Sequence, residues 1–228
     1  MFQTTAVFFN CFQDIYTLLF QKYHYMYPLA SSPSDTVVEA LFDFLRGFQI
    51  SAAALEKIRA GISVLQVKAN TVLVKPGKVC HCVYFVKEGG FVCRYVNEAF
   101  EKEKTINFYL PDLHPFMACV DSYFTQTPTQ CELRAVEDSV VLSMSKTAID
   151  LLIQEDFSLR NVYDTLVIHA LTEENELKLK IIAYTSEQLY DYILENLPSV
   201  IQKVPSKYIA EFMGISAEWL SKLKRVKK

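Results

Sequence analysis

Apolar residues change their spacing several times along this chain, and each change marks an element. Between residues 36 and 48, Val37, Val38, Leu41, Phe42, Leu45 and Phe48 fall three or four apart, the repeat that gathers side chains on one face of a helix. Residues 52–61 predict a second, short helix. The period then shortens. Residues 62–74 and 83–96 are rich in Val, Tyr, Phe and Thr, and Lys75-Pro-Gly-Lys78 and Glu88-Gly89-Gly90 interrupt them. Turn chemistry between β-branched runs predicts hairpins. The charged stretch 97–104 reads as a loop, 105–110 as a strand, and 131–144 as a further strand or pair with Asp138-Ser139 near its middle. Short strands so spaced predict an antiparallel barrel or roll, and Ser145 can cap a short helix over 145–154.

From residue 158 to about 183 there is neither Pro nor Gly, and Leu159, Val162, Tyr163, Leu166, Ala170, Leu177 and Ile181 recur every three or four positions or their multiples. A helix of this length spans on the order of 37 Å at 1.5 Å per residue, more than one small roll covers. Its apolar seam calls for a partner, so Leu159, Val162, Leu166, Ala170 and Leu177 are candidate contacts of a two-fold dimer. Packing on the chain's own roll is the competing reading. Thr185-Ser-Glu-Gln188 is a capping box that opens another helix, ending before Pro198.

Residues 206–228 read as a helix, a tight turn and a second helix, the layout of a helix-turn-helix DNA reader. Ala210 supplies a small residue where the helices cross, and Gly214 supplies a turn at positive φ. Ile209, Met213, Ile215, Leu220 and Leu223 take the inward positions, which leaves Ser216, Ala217, Glu218, Ser221, Lys222 and Arg225 to meet a groove. Any short helical hairpin would show an apolar stripe, so the charge matters more. The chain carries a net −3, yet from Lys203 onward seven Lys and Arg face two Glu. Phosphate binding needs this local basicity, because each neutralised phosphate releases counterions.

At 228 residues, half of them apolar, the chain can bury one good core and a smaller second unit. The six cysteines (Cys11, Cys80, Cys82, Cys93, Cys119, Cys131) contain no Cys-x-x-Cys pair and are most simply reduced thiols in a cytoplasm. Cys80 and Cys82 are only a weak metal signal, and no metal site is expected. Residues 1–33 are unusually aromatic, but they lack a basic n-region and are interrupted by Asn10, Gln13, Asp14, Gln21 and Lys22. They predict neither a signal peptide nor a membrane span, and either a packing helix or a segment outside the native start fits them. No Gly-rich phosphate loop, nucleophile elbow or carboxylate pair stands at a usable spacing, so no catalytic residue and no enzyme is expected.

Two leading helices, a roll with Lys75-Pro-Gly77 and Tyr84-Phe-Val-Lys-Glu-Gly89 in turn positions, a long helix and a C-terminal helix-turn-helix together resemble the Crp/Fnr family of bacterial transcription regulators. The resemblance covers residues 34–228 and is most specific over 72–95 and the final hairpin. It implies a cytoplasmic homodimer that sets two recognition helices one turn apart on a pseudo-palindromic operator in double-stranded DNA. RNA polymerase and an unidentified small-molecule effector are the further candidate partners. The implied fold class is α+β: a cyclic-nucleotide-binding-like β-roll of jelly-roll type, a long dimerisation helix and a truncated helix-turn-helix. The implied domains are an aromatic extension (1–33), a sensor roll with flanking helices (34–154), the dimer helix (155–184) and the DNA-binding domain (185–228).

The departures from the family pattern are equally informative. Members that bind cyclic nucleotides carry a cassette after the strand that 105–110 occupies here. It begins near Phe-x-Gly-Glu, whose glutamate takes the ribose hydroxyl, and continues to Arg-Ser/Thr-Ala, which grips the phosphate. In this chain Phe116-Met-Ala-Cys119 and Thr129-Gln-Cys131 stand in those places. A cyclic phosphate buried there would lack its charge-assisted pair, so cyclic nucleotide binding in the usual manner is not expected, and no cofactor is. Phe116, Cys119, Thr129 and Gln130 remain a candidate effector pocket. An iron–sulfur member needs thiolates grouped near its N-terminus, where only Cys11 lies, and His81, His114 and His169 are isolated positions that do not call for a haem.

The reader departs too: Ala217 and Lys222 stand where the family commonly presents Arg, with Glu218 between them. Glu218 can accept from a cytosine amino group, Lys222 can reach guanine or phosphate, and Ala217 can touch a thymine methyl. The chain stops at Lys228, directly after the recognition helix, so no β-wing is expected and backbone contacts fall to Ser206, Lys207 and the basic tail. The alternative is a small-molecule sensory or protein-interaction module whose reader no longer grips DNA.

Overall fold

The computed structural model describes residues 33–48, 50–97 and 102–227. The aromatic N-terminal stretch therefore lies outside the described residues, apart from Pro33. The chain divides into two compact units, ending and beginning at Ser51 and Ala52. In the first, helix α1 (Pro33–Arg46) buries Val38, Leu41, Phe42 and Leu45, the stripe that the apolar spacing predicts.

The second unit opens with α2 (Ala52–Gly61) and continues into eight strands: β1 (Ser63–Val67), β2 (Val72–Val74), β3 (Cys82–Glu88), β4 (Phe91–Asn97), β5 (Lys102–Tyr109), β6 (Phe116–Met117), β7 (Cys131–Ala135) and β8 (Ser139–Ser145). They form two four-stranded antiparallel sheets, β1-β8-β3-β6 and β2-β7-β4-β5. A short helix, α3 (Val120–Thr125), sits between β6 and β7. The fold is the α+β jelly roll expected from the pattern. Period-two alternation sorts the side chains. On β4 and β7, Phe91, Cys93, Cys131, Leu133 and Ala135 point between the sheets, joining Val86, Tyr109, Met117 and Val141 in one core.

The turns explain the strand boundaries. The run 62–74 becomes two strands because Asn70 takes a left-handed φ of 67°, a conformation Asn tolerates. The hairpin between β3 and β4 turns at Gly89, with φ of 83°. A Cβ there would stand 2.1 Å from the Ser139 hydroxyl oxygen and 2.7 Å from the Asp138 carbonyl. Gly89→Ala should therefore lower stability by about 1–3 kcal/mol from backbone strain alone, with the clash adding to it. A thermal melt equal to the parent's would show that the turn re-forms without cost.

Four features depart from the sequence reading. Strand β5 starts at Lys102, because its pairing with β4 continues through Tyr95↔Lys104 to Asn97↔Lys102, so charged residues extend a hairpin where polarity suggested a loop. β6, α3 and α7 (Pro198–Lys203) were too short to leave a periodic signal.

The helices after the roll follow their caps. Ser145 caps α4 (Lys146–Glu155) by accepting from Ala148 N–H, and Asp156 caps α5 (Phe157–Ala183) by accepting from Ser158 and Leu159 N–H. Thr185 and Gln188 complete the capping box of α6 (Ser186–Asn196). No helix among the described residues is long and apolar enough to cross a membrane.

Candidate nucleic-acid interface and sensor interior

The C-terminal hairpin consists of α8 (Ser206–Met213) and α9 (Ala217–Val226). Gly214 ends α8 at φ of 68°, and Ile215 N–H returns to the Ala210 carbonyl at 3.0 Å, so the chain reverses within two residues. Ser216 then caps α9 by accepting from Trp219 N–H at 3.1 Å. Leu220 and Leu223 are buried, while Ser216, Ala217, Glu218, Ser221, Lys222 and Arg225 are all exposed. The residues that spacing assigned to a groove thus share one open face. The Glu218 backbone N–H and the Ser216 hydroxyl hold the Glu218 carboxyl below its ordinary value. Lys222 reaches over the Trp219 ring at 5.9 Å.

The expected backbone contacts need correction. Lys224 Nζ donates to the Ser206 hydroxyl at 2.6 Å, and Lys227 pairs with Asp191 at 2.7 Å. These bonds fasten α9 to α8 and α6, so part of the basic tail is engaged within the chain, and Ser206 accepts from a lysine. Lys222 and Arg225 remain directed outward, and Lys207 is exposed beside the Tyr208 ring.

The hairpin is seated on the outer face of the roll. Val92, Phe108 and Leu110 share a second core with Leu189, Tyr190, Ile193, Val200, Tyr208, Ile209, Phe212, Leu220 and Leu223. The Phe108 and Phe212 rings lie 4.8 Å apart. Each such side chain contributes roughly 1.5–3 kcal/mol on full burial, and these contacts are indifferent to register. An ion cluster supplies the register. Arg94, directly opposite Glu132 across β4 and β7, bonds Glu132 at 3.0 Å and Glu211 of α8 at 3.1 Å, and also pairs with Glu103. Thr105 donates to Glu211 at 2.8 Å, and Arg134 holds Glu132 through two bonds of 2.8 and 2.9 Å. Burial opposes the Arg94 charge, but hydrogen bonds to Glu211, Glu103 and Glu132 outweigh it and raise the guanidinium's pKa. Burial likewise pushes Glu132 up, and Arg134 and Arg94 bring it below its ordinary value.

Inside the roll, only part of the expected effector pocket comes together. Cys119 and Thr129 are buried neighbours, the Thr129 hydroxyl bonding Asp121 at 3.2 Å and accepting from Cys131 N–H at 2.9 Å. Phe116 instead points to the outer face, where its ring meets Phe85 at 5.1 Å, because Met117, the next residue, takes the inward position. Gln130 is exposed. At the two cassette positions the interior presents thiols and a hydroxyl, and Arg134 lies on the outer side of β7, bound to Glu132 and the Asn70 carbonyl. Although no Cys-x-x-Cys spacing joins them, Cys80, Cys93, Cys119 and Cys131 share one core. Inward alternation on β4 and β7 was the available signal for Cys93 and Cys131.

The long helix α5 also revises its assignment. Leu159 and Val162 are already buried in the single chain, and Leu177 packs against the second core. Leu166 is half-buried, and of the five only Ala170 is exposed. Of the large apolar residues left open on it, Phe157, Ile168, Leu171, Leu179, Ile181 and Ile182, four (Ile168, Leu171, Leu179 and Ile182) recur with Asn175 at steps of three and four. Periodicity revealed apolar residues on the helix but not which side its own roll would claim. A cleft of about 380 Å³ lies between Ile106 of β5 and Leu171, Asn175, Leu177 and Ile182 of the helix. Nearby, Glu173 pairs with His114 at 3.0 Å and His169 at 3.3 Å. Burial pushes the Glu173 carboxyl up, but its bonds to the two imidazoles prevail and lower it to about 2.

These elements define a two-sheet roll joined through a long helix to a C-terminal helical hairpin. Residues 64–156 match the cyclic nucleotide-binding domain family. Among solved structures, an assigned Crp/Fnr-family regulator from Eubacterium rectale superposes with a TM-score of 0.59 at 14% identity, covering 78% of this chain and 83% of that one. FixK2 from Bradyrhizobium japonicum gives 0.60 at 11% identity, with 72% and 83% covered. The c-di-GMP-responsive global regulator CLP from Xanthomonas campestris gives 0.58 at 15% identity, with 78% and 92% covered. No curated protein sequence matches the chain. Residues 64–156 are thus similar to the cyclic nucleotide-binding domain family, and the chain shares its fold with Crp/Fnr regulators.

Proposed function

We propose that this chain is a cytoplasmic, non-catalytic transcription regulator that reads a pseudo-palindromic operator in double-stranded DNA as a homodimer, with RNA polymerase as its downstream partner. The observation that carries this reading is the two-sided character of α9. Its inner side is sealed by Leu220 and Leu223, and its outer side presents a small residue, a carboxylate, a hydroxyl and two cations at successive turns. A helix of that outline is what a major groove admits, and those side chains match the donors and acceptors on base edges.

The interior of the roll supports a sensor that does not take a cyclic nucleotide in the usual manner. A buried phosphate monoanion needs a cation, and the nearest arginines, Arg94 and Arg134, are committed to carboxylates on the outer face of the sheet. For dimerisation, the support is the open seam Ile168, Leu171, Asn175, Leu179 and Ile182, whose central Asn fits a polar residue that fixes helix register.

Paired substitutions on α9 test the reader. Lys222→Ala should weaken operator binding by roughly tenfold and flatten its salt dependence. Glu218→Ala should change affinity little and relax preference at one base pair of each half-site. Fluorescence anisotropy with a specific and a scrambled duplex separates the two effects. If both variants bound as the parent does, α9 would not be the reading surface.

A further inference from the structure

The largest side chain of α9 belongs neither to its buried pair, Leu220 and Leu223, nor to the outward row of Glu218, Ser221, Lys222 and Arg225. Trp219, the chain's one tryptophan, is 39% exposed, although tryptophan is highly buried on average. Its backbone is fixed, because the Trp219 N–H donates to the Ser216 hydroxyl within the cap that starts the helix. Its indole is less engaged. Among the described residues the indole N–H donates to nothing and no other ring stacks on it, while the Lys222 ammonium stands 5.9 Å over the ring. An apolar ring with an unused donor at its edge suits a surface that is apolar in one part and wet in another.

Helical spacing places this ring. Successive residues on α9 turn by about 100°, so Trp219 stands one turn before buried Leu223 and three residues before exposed Lys222. It occupies the border between the packed side of the helix and the open one. Ala217 occupies the opposite border, with Glu218 midway between them. Three consecutive residues thus divide the open face: a methyl at one edge, a carboxylate in the middle, an indole at the other. A helix about 10–12 Å across meets both walls of a major groove about 12 Å wide. Ala217 lets one wall approach closely, and the indole is the bulk that the other wall reaches. Such a wall is sugar and phosphate. Its deoxyribose carbons offer the ring an apolar surface, and its phosphate oxygens accept from an indole N–H.

We propose that Trp219 contacts the sugar–phosphate wall of the major groove and sets how α9 sits between the two walls, an inference that rests on the reading of α9 as the DNA-binding helix. The ring packs on deoxyribose, and the indole N–H donates to a phosphate oxygen. A backbone contact carries no base preference, and an uncharged donor neutralises no phosphate and so releases no counterion. Trp219 therefore contributes affinity that is blind to sequence and insensitive to salt. Lys222, as a cation, differs from it in the second respect, and Glu218, as a base reader, differs in the first.

As the chain's one tryptophan, Trp219 reports on itself. Its fluorescence, excited where tyrosine does not absorb, is quenched with acrylamide in the full chain, free and saturated with the specific or the scrambled duplex. Acrylamide access should fall severalfold on saturation with either. Trp219→Ala should weaken binding to both duplexes by about tenfold, with the slope of log affinity against log salt unchanged. Trp219→Phe, which keeps a ring and loses the donor, should recover part of that loss. Unchanged acrylamide access in the saturated parent, or parent-like affinity of Trp219→Ala, overturns the proposal, and a loss confined to the specific duplex does so too, since it would make the indole a base reader. Quenching of the parent decides the matter even where Trp219→Ala fails to fold. A parent that binds neither duplex removes the DNA reading itself and this contact with it, an outcome that anisotropy reports before any variant is made.

Discussion

Arg94→Met should lower the unfolding free energy by about 3–5 kcal/mol, the loss typical of removing one partner from a buried ion pair. The guanidinium is buried and bonds Glu132 of its own sheet and Glu211 of α8, besides pairing with Glu103. Methionine fills comparable volume but leaves Glu211 facing Thr105 alone. Glu132 retains Arg134, so the uncompensated charge falls mainly on the carboxylate that α8 contributes. Such a loss is a large fraction of the ~5–15 kcal/mol that holds a domain together. Urea denaturation of Arg94→Met, Glu211→Gln and the double variant measures it, and the double variant should recover part of the single loss because the orphaned carboxylate is then gone. Parent-like unfolding of Arg94→Met would show that the apolar contacts around Phe108 and Phe212 seat the hairpin without the ion cluster.

The second large effect concerns the long helix. Lysine at both Ile168 and Ile182 should leave the fold intact, since both side chains are open to solvent in the single chain. Two cations placed on the seam of a two-fold dimer would face their own symmetry mates, and like charges on a facing seam oppose association. The double variant should sediment as a monomer with an unchanged melting profile. Its affinity for a two-half-site operator should drop by about 10²-fold or more, because the second half-site loses its effective concentration. Lysine at both Leu159 and Val162 should instead unfold the chain, as those positions are already buried. A double variant of Ile168 and Ile182 that remained dimeric would move the interface elsewhere.

Local chemistry was legible in the sequence wherever one residue dictates one backbone state. The capping box at Thr185, the cap at Ser145, and the turns at Gly89 and Gly214 all stand where their residue types require. The face of α9 was legible for the same reason, because 3.6-residue spacing and a glycine turn determine it without reference to distant parts of the chain. What stayed hidden depends on tertiary neighbours. Periodicity counts Leu159 and Ile168 alike, yet the first is buried in the single chain and the second is open. Arg94, Glu132 and Glu211 are far apart in sequence and become one cluster only when α8 docks on β4 and β5. The buried cysteines are similar: Cys93 and Cys131 arrive by strand alternation, Cys80 and Cys119 from irregular backbone, and no local motif joins them. Phe116 misled through parity, since a two-residue strand places Met117 and not its neighbour inside.

Selection of bound sequences from random duplex DNA at two salt concentrations tests the central claim most directly. The account predicts enrichment of a two-fold symmetric site whose half-sites lie one helical turn apart, retained at the higher salt because base contacts persist when phosphate attraction is screened. Unselective binding that vanishes with added salt would contradict it, leaving only backbone attraction to Lys222 and Arg225 and making the roll, not the reader, the working part of the molecule.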